Sequence, residues 1–202
     1  MISTRGLSRV ELLRRGAGGG AILAVSGAGL GAFAGAAGAA VPDVDLSYLR
    51  LLVGSELLKG DFESRALRSG KLASPPRAVL RRMREDDAAH YKALAGLLNG
   101  AGQAPAVAGD IDFSYPPGSF ASRETIAKLA WRLVALTLGA YLGAVENVQT
   151  PQLRLPLGQI AANEAQQLSA LAPFAHKAVV GSAFATVLSI DAVSSALDEY
   201  ES

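Results

Sequence analysis

Four stretches of this sequence carry apolar residues on one helical face, and only one of the gaps between them is long. The first runs from about Asp45 to Ser69, with Leu49, Leu52, Val53, Glu56 and Gly60 at helical spacing and Gly70 where a C-terminal cap belongs. The second runs from about Pro75 to Asn99, with Ser74 as its expected cap, prolines in its first turn and Gly100 after it. The third runs from about Arg123 to Asn147, with Ser122 as cap and Glu124 in the first turn. The fourth runs from about Pro156 to Leu171. A short fifth helix is expected from about Asp191 to Tyr200.

Three of these stretches are about 25 residues long, or about 37 Å at the rise of an α-helix. Long amphipathic helices with short links bury their stripes by packing side by side as a bundle. The long gap, Ala101 to Ser122, joins the second and third helices. A crossover of that length carries the chain from one end of a bundle to the other, so the third helix runs parallel to the second. Half of the residues are apolar and few are aromatic, which suits helices. No alternation is long enough to build a sheet. The expectation is an all-α four-helix bundle with a long helix 2–3 crossover and a short C-terminal helix, over residues 41–202.

Residues 1–40 read as an address. They start basic, with Arg5, Arg9, Arg14 and Arg15 against the single acid Glu11, and an uncharged run follows from Gly16 to Val41. The run ends in small residues, and Ala37-Gly38-Ala39 fits a signal-peptidase site. "SRVELLRRG" resembles a twin-arginine export motif, with Val10 where the second arginine of the pair is expected. The alternative is an uncleaved membrane anchor, since the run is long enough to span and Gly27, Gly31 and Gly35 form a helix-packing spacing. The net charge of +1 owes three positive charges to this segment. What remains is slightly acidic, which is no footprint for nucleic acid. With no cysteine in the chain, disulfides, thiolate metal sites and cysteine catalysis are excluded.

The stripes are not purely apolar. Glu56 lies on the first, Asp87 and His90 lie side by side three residues apart on the second, and Glu164 and Gln167 repeat that spacing on the fourth. The second stripe reads Leu80, Met83, Asp87, His90, Leu94, Leu97; the fourth reads Leu157, Ile160, Glu164, Gln167, Leu168, Leu171. An unpaired buried charge is very costly, so these groups must meet each other, water or a metal.

This constellation resembles the carboxylate di-metal site of ferritin-like bundles, in which two helices each give a glutamate and two others each give Glu-x-x-His. More narrowly, the chain resembles exported bacterial ferritin-like proteins related to desiccation-associated ones. The resemblance rests on "SELLKGDFESRAL", "DDAAHYKAL", "GDIDFSYPPGSF", "GAYLGAV" and "QIAANEAQQLSAL". It implies a six-ligand site that is degenerate here. Glu56, His90 and Glu164 match its ligands, Asp87 shortens one, Val134 stands at a lost glutamate position and Gln167 at a lost histidine. Three carboxylates and one imidazole suit a single Fe or Mn ion or a metal-free polar network, and two ions are not expected.

Other features take plain readings. "RRMRE" around Arg81 is a solvated helix face, Trp131 and Tyr141 are packing residues, and His176 lies at the surface. "DIDFSYPPGSF" seals a bundle end or gates a pocket. No nucleophile elbow, phosphate loop or dinucleotide fingerprint occurs. The functional expectation is an exported protein of the periplasm or outer face of the cytoplasmic membrane, non-enzymatic, with a structural or binding role. The alternatives are a single-metal protein or weak oxidase, and a membrane-anchored accessory subunit. Membrane association through the N-terminal segment and a homo-oligomer both remain open.

Overall fold

The computed structural model describes residues 41–201. Within them lie five helices and no strand: α1 Asp43–Arg68, α2 Pro76–Gly100, α3 Arg123–Asn147, α4 Pro151–Leu171 and α5 Ile190–Asp198. The export segment at residues 1–40, and its alternative as an anchor, lie outside the described residues.

Helices α1 and α2 pack as one hairpin and α3 and α4 as another, with α1 against α3 and α2 against α4. The direction of the crossover follows from its contacts. Arg50 near the start of α1 donates to Gln103 at 2.7 Å, just after α2 ends. Arg65 near the end of α1 donates to the Phe113 carbonyl at 3.1 Å. The crossover therefore runs the length of α1 before entering α3, and α2 and α3 point the same way. The C-terminal end of α3 returns to the start of α1, where Asp45 accepts from the backbone N–H groups of Gln149 and Thr150 at 2.7 and 2.9 Å. This is the expected bundle with its helix 2–3 crossover.

The stripes bury as their spacing requires, except that Gly60 and Leu168 at their edges are only partly covered. Leu52, Val53, Leu94, Leu98 and Leu157 are all sealed in the core, each worth about 1.5–3 kcal/mol relative to exposure. Helix starts differ from expectation in two places. Ser74 does not cap α2, because Pro75 occupies the N-cap position and no side chain caps that helix. Helix α4 begins at Pro151 rather than Pro156, which lies inside it. Pro151 supplies the pre-set φ of a first helical residue, and Pro156 forfeits one backbone bond only a turn and a half later. Ser122 does cap α3, in a reciprocal pair of bonds with Thr125. Gly70 takes φ +72° just past Ser69, the left-handed turn that ends α1.

Two tertiary devices finish the fold. Tyr200 leaves α5 instead of extending it, because its carbonyl accepts from Ser114 N–H at 2.7 Å and its ring packs on Tyr115. Tyr115 also packs at a tilt on Phe62 and edge-on against Phe120, so the aromatic crossover closes over the second half of α1. The segment after α4 crosses α3 at Gly139 and Gly143, where Leu188 N–H donates to the Gly139 carbonyl at 3.1 Å. A Cβ at Gly143 would overlap the Leu188 carbonyl oxygen, so "GAYLGAV" is a groove that seats the C-terminal strap.

Candidate functional site

The buried polar residues of all four long helices converge in the middle of the bundle. From α1 come Glu56, Lys59 and Glu63, which share one face at intervals of three and four residues. Helix α2 contributes Asp87 and His90, α3 contributes Tyr141, and α4 contributes Glu164 and Gln167. Every one of these is buried. Ligand atoms of Glu56, Asp87, His90 and Glu164 lie within 4.8 Å of one another, the spacing of a group able to hold a metal ion.

Lys59 stands among them. Its ammonium lies 2.6 Å from Glu164 Oε1, 2.9 Å from Asp87 Oδ2 and 3.4 Å from Glu56 Oε2. The ammonium hydrogen-bonds Glu164, and the Asp87 and Glu56 carboxylates lie within ion-pair distance, so acids from three helices surround one cation. His90 Nδ1 adds contacts of 3.2 Å to Glu164 Oε1 and 3.5 Å to Glu56 Oε1 and Asp87 Oδ1. The Tyr141 hydroxyl donates to Glu56 Oε1 at 2.6 Å, and Gln167 Nε2 donates to Asp87 Oδ1 at 2.7 Å. Gln167 thus spends its amide as a donor to a carboxylate. Glu164 Oε2 and Gln167 Oε1 remain buried without a hydrogen-bond partner.

The electrostatics follow from burial and neighbours. Burial alone would drive Lys59 toward neutrality, but Glu164, Glu56 and Asp87 overrule it and hold the ammonium well above its usual pKa. Burial likewise opposes a charged His90, yet its bonds to Glu164 and Glu56 raise it to about 9. Glu56 stays below the usual carboxylate range: burial pushes it up, and Lys59, His90 and Tyr141 pull it further down. Burial raises Asp87 to about 6, with Lys59 pulling down and Glu56 and Glu164 pushing up. Burial and the nearby Asp87 charge push the Glu63 carboxyl well above its normal range, so it is held protonated. Asp87 is its one polar neighbour able to accept from it, and neither Glu63 oxygen makes a well-aligned hydrogen bond. They border a void too narrow for a water, closed on the far side by Leu133 and Val134.

A two-metal centre does not fit this donor set. Val134 offers no ligand, Gln167 donates rather than accepts at Asp87, and the Lys59 ammonium already engages one oxygen each of Glu56, Asp87 and Glu164. A single ion fits the geometry of Glu56, Asp87, His90 and Glu164 once the ammonium is elsewhere.

All six residues singled out in the sequence are core residues here, and five of them meet; Val134 lies at the edge of the void beside Glu63. The sequence reading missed Lys59 and Glu63, although both follow Glu56 on its own stripe. It also took Tyr141 for a packing residue, whereas its hydroxyl belongs to the polar cluster. Trp131 is a packing residue as expected, half-buried with Lys177 Nζ 5.0 Å from its ring centroid. His176 is exposed, and the arginines of "RRMRE" face solvent.

A comparison with curated proteins finds no match. A family description of the ferritin-like domain matches residues 26–177, more than half of the chain and all four long helices. With the crossover bundle and the inward carboxylates and histidine, this places the chain in the ferritin-like domain family.

Proposed function

We propose that this chain is an exported ferritin-like bundle of the bacterial cell envelope, related to the desiccation-associated group, that serves a structural or binding role without two-metal redox chemistry. The observation that carries the redox half is the state of the core: two ligand positions are occupied by Val134 and Gln167, and Lys59 neutralises carboxylates that a metal pair would need. Oxygen chemistry at a metal pair requires both ions to be held a few ångströms apart by shared carboxylates. The basic start, the uncharged run and the small-residue end of residues 1–40 support export.

A second reading, a single-metal protein, is favoured by the four ligand atoms that lie within 4.8 Å of one another. The deciding experiment loads the purified protein anaerobically with Fe(II), counts bound iron and then admits oxygen. The expected result is at most one ion per chain and oxidation at the uncatalysed rate. Two bound ions and rapid oxidation would overturn the proposal. N-terminal sequencing of the protein from native envelope fractions tests export, with a start near Ala40 or Val41 expected; a chain starting at Met1 in the membrane would support the anchored subunit instead.

A further inference from the structure

Lys59 is the one cationic side chain of α1 that lies fully inside the bundle: its side chain is 2% exposed. A buried lysine paired with one acid is an ordinary ion pair. This ammonium instead meets Glu164 at 2.6 Å, Asp87 at 2.9 Å and Glu56 at 3.4 Å, one carboxylate from each of three helices, with 105 residues separating the shortest pair. These are three of the four groups whose ligand atoms are close enough to share a metal ion. The outer oxygens of two of these carboxylates are already taken, by Tyr141 on Glu56 Oε1 and by Gln167 on Asp87 Oδ1. The oxygens that remain, Glu56 Oε2 and Asp87 Oδ2, are those the ammonium engages. The ammonium holds those two by charge alone, without an aligned hydrogen bond, and Glu164 Oε2 is likewise without one.

We propose that Lys59 is the resident cation of this site: its ammonium stands where a divalent ion would be held, and it, rather than the lost ligands, keeps such an ion out. The inference deepens the non-redox function proposed above and rests on it. Removing the ammonium frees Glu56 Oε2 and Asp87 Oδ2, which join Glu164 and, once an entering ion displaces its proton to solvent, His90 Nδ1 as three carboxylates and one imidazole. That donor set takes one hard or borderline divalent ion such as Mn(II) or Fe(II). It does not take two, because Tyr141 and Gln167 continue to occupy the second oxygens of Glu56 and Asp87, and Val134 and Gln167 supply no further anion.

The test uses Mn(II) on the purified protein, Lys59→Gln and Lys59→Met, with bound metal counted after desalting and melting followed with and without the ion. The original protein is expected to hold less than about a tenth of an equivalent and to melt at the same temperature either way. Each variant is expected to hold about one equivalent. At a hundredfold excess over its Kd, bound ion should raise the melting temperature by roughly 5–10 °C. Folded variants that bind no more Mn(II) than the original protein would overturn the inference and leave the proposed function standing. Two ions in the original protein would overturn both. One tight ion with Lys59 intact would overturn the inference alone. A second measurement needs no variant. Reductive methylation of the native protein in chelator, read by peptide mass, should leave Lys59 unmodified while the exposed Lys71 reacts. Methylation of Lys59 at the rate of Lys71 would refute a resident ammonium, and this measurement decides the matter if neither variant folds.

Discussion

The Lys59 ammonium and the Glu164 carboxylate meet at 2.6 Å although 105 residues separate them in the chain. Both are sealed from water, so their pairing is a condition of packing α1 against α4 as well as a consequence of it. Cutting Lys59 to alanine leaves three carboxylates with one cation fewer. Breaking a buried pair from one side typically costs about 3–5 kcal/mol. Lys59→Ala without metal is expected to lose stability of that order in urea unfolding, and a loss under about 1 kcal/mol would show that the ammonium is not holding the helices together.

His90 makes stability fall with rising pH. Its pKa is raised from 6.5 to about 9, because Glu164 and Glu56 outweigh burial. A raised folded pKa means that the contribution is complete below pH 6.5 and is lost as pH passes through about 9. The shift corresponds to a loss of roughly 3 kcal/mol across that window. Urea midpoints at pH 6, 7.5 and 9.5 should decline in order, and His90→Gln should flatten the series. Asp87, raised to about 6, acts in the same direction at lower pH.

Glu63 is expected to be a liability to stability. It is 1% exposed, neither oxygen makes a well-aligned hydrogen bond, and apart from Lys59 the void beside it is lined by apolar side chains such as Phe62, Leu80, Met83 and Leu133. An unsatisfied buried polar group costs about 1–3 kcal/mol. Glu63→Met, of similar length, should therefore stabilise the protein by about 1–2 kcal/mol in chemical denaturation. Destabilisation would show that the protonated carboxyl serves Asp87.

At Gly143 the first added carbon overlaps the Leu188 carbonyl, and at Gly139 it would lie 2.7 Å from the Leu188 side chain. Gly143→Ala should displace the strap from α3 at a cost of about 1–3 kcal/mol. Limited proteolysis between Lys177 and Ser189 should become faster while cleavage elsewhere does not. An unchanged digestion pattern would place the strap's anchor somewhere else.

The bundle was legible because its signals are local and redundant. The α2 stripe from Leu80 to Leu97 buries every residue its spacing selected, Asp87 and His90 included. Helix starts were less legible: Ser74 has the chemistry of a cap but stands one residue too early, and a proline can sit inside α4 where a first-turn proline was expected. The cluster was half legible. Glu56 was found as an acid on an apolar stripe, but Lys59 on the same face was passed over, because a lysine there ordinarily extends its amine to solvent. Only the arrival of Asp87 and Glu164 from other helices gives that amine a reason to stay inside. Tyr141 was hidden in the same way, since its ring packs and only its oxygen enters the polar cluster.

Asp45 belongs to α1, yet the backbone groups that its carboxylate receives, Gln149 and Thr150, are the entry to α4, which has no side-chain cap of its own. The two hairpins are therefore not interchangeable modules. An isolated piece holding only α3 and α4 would start its last long helix with those N–H groups open to water and no anion at the positive end of the dipole. Cutting the chain within the crossover and mixing the halves should rebuild the bundle only when both are present, so that the smallest unit able to fold is the whole set of four long helices.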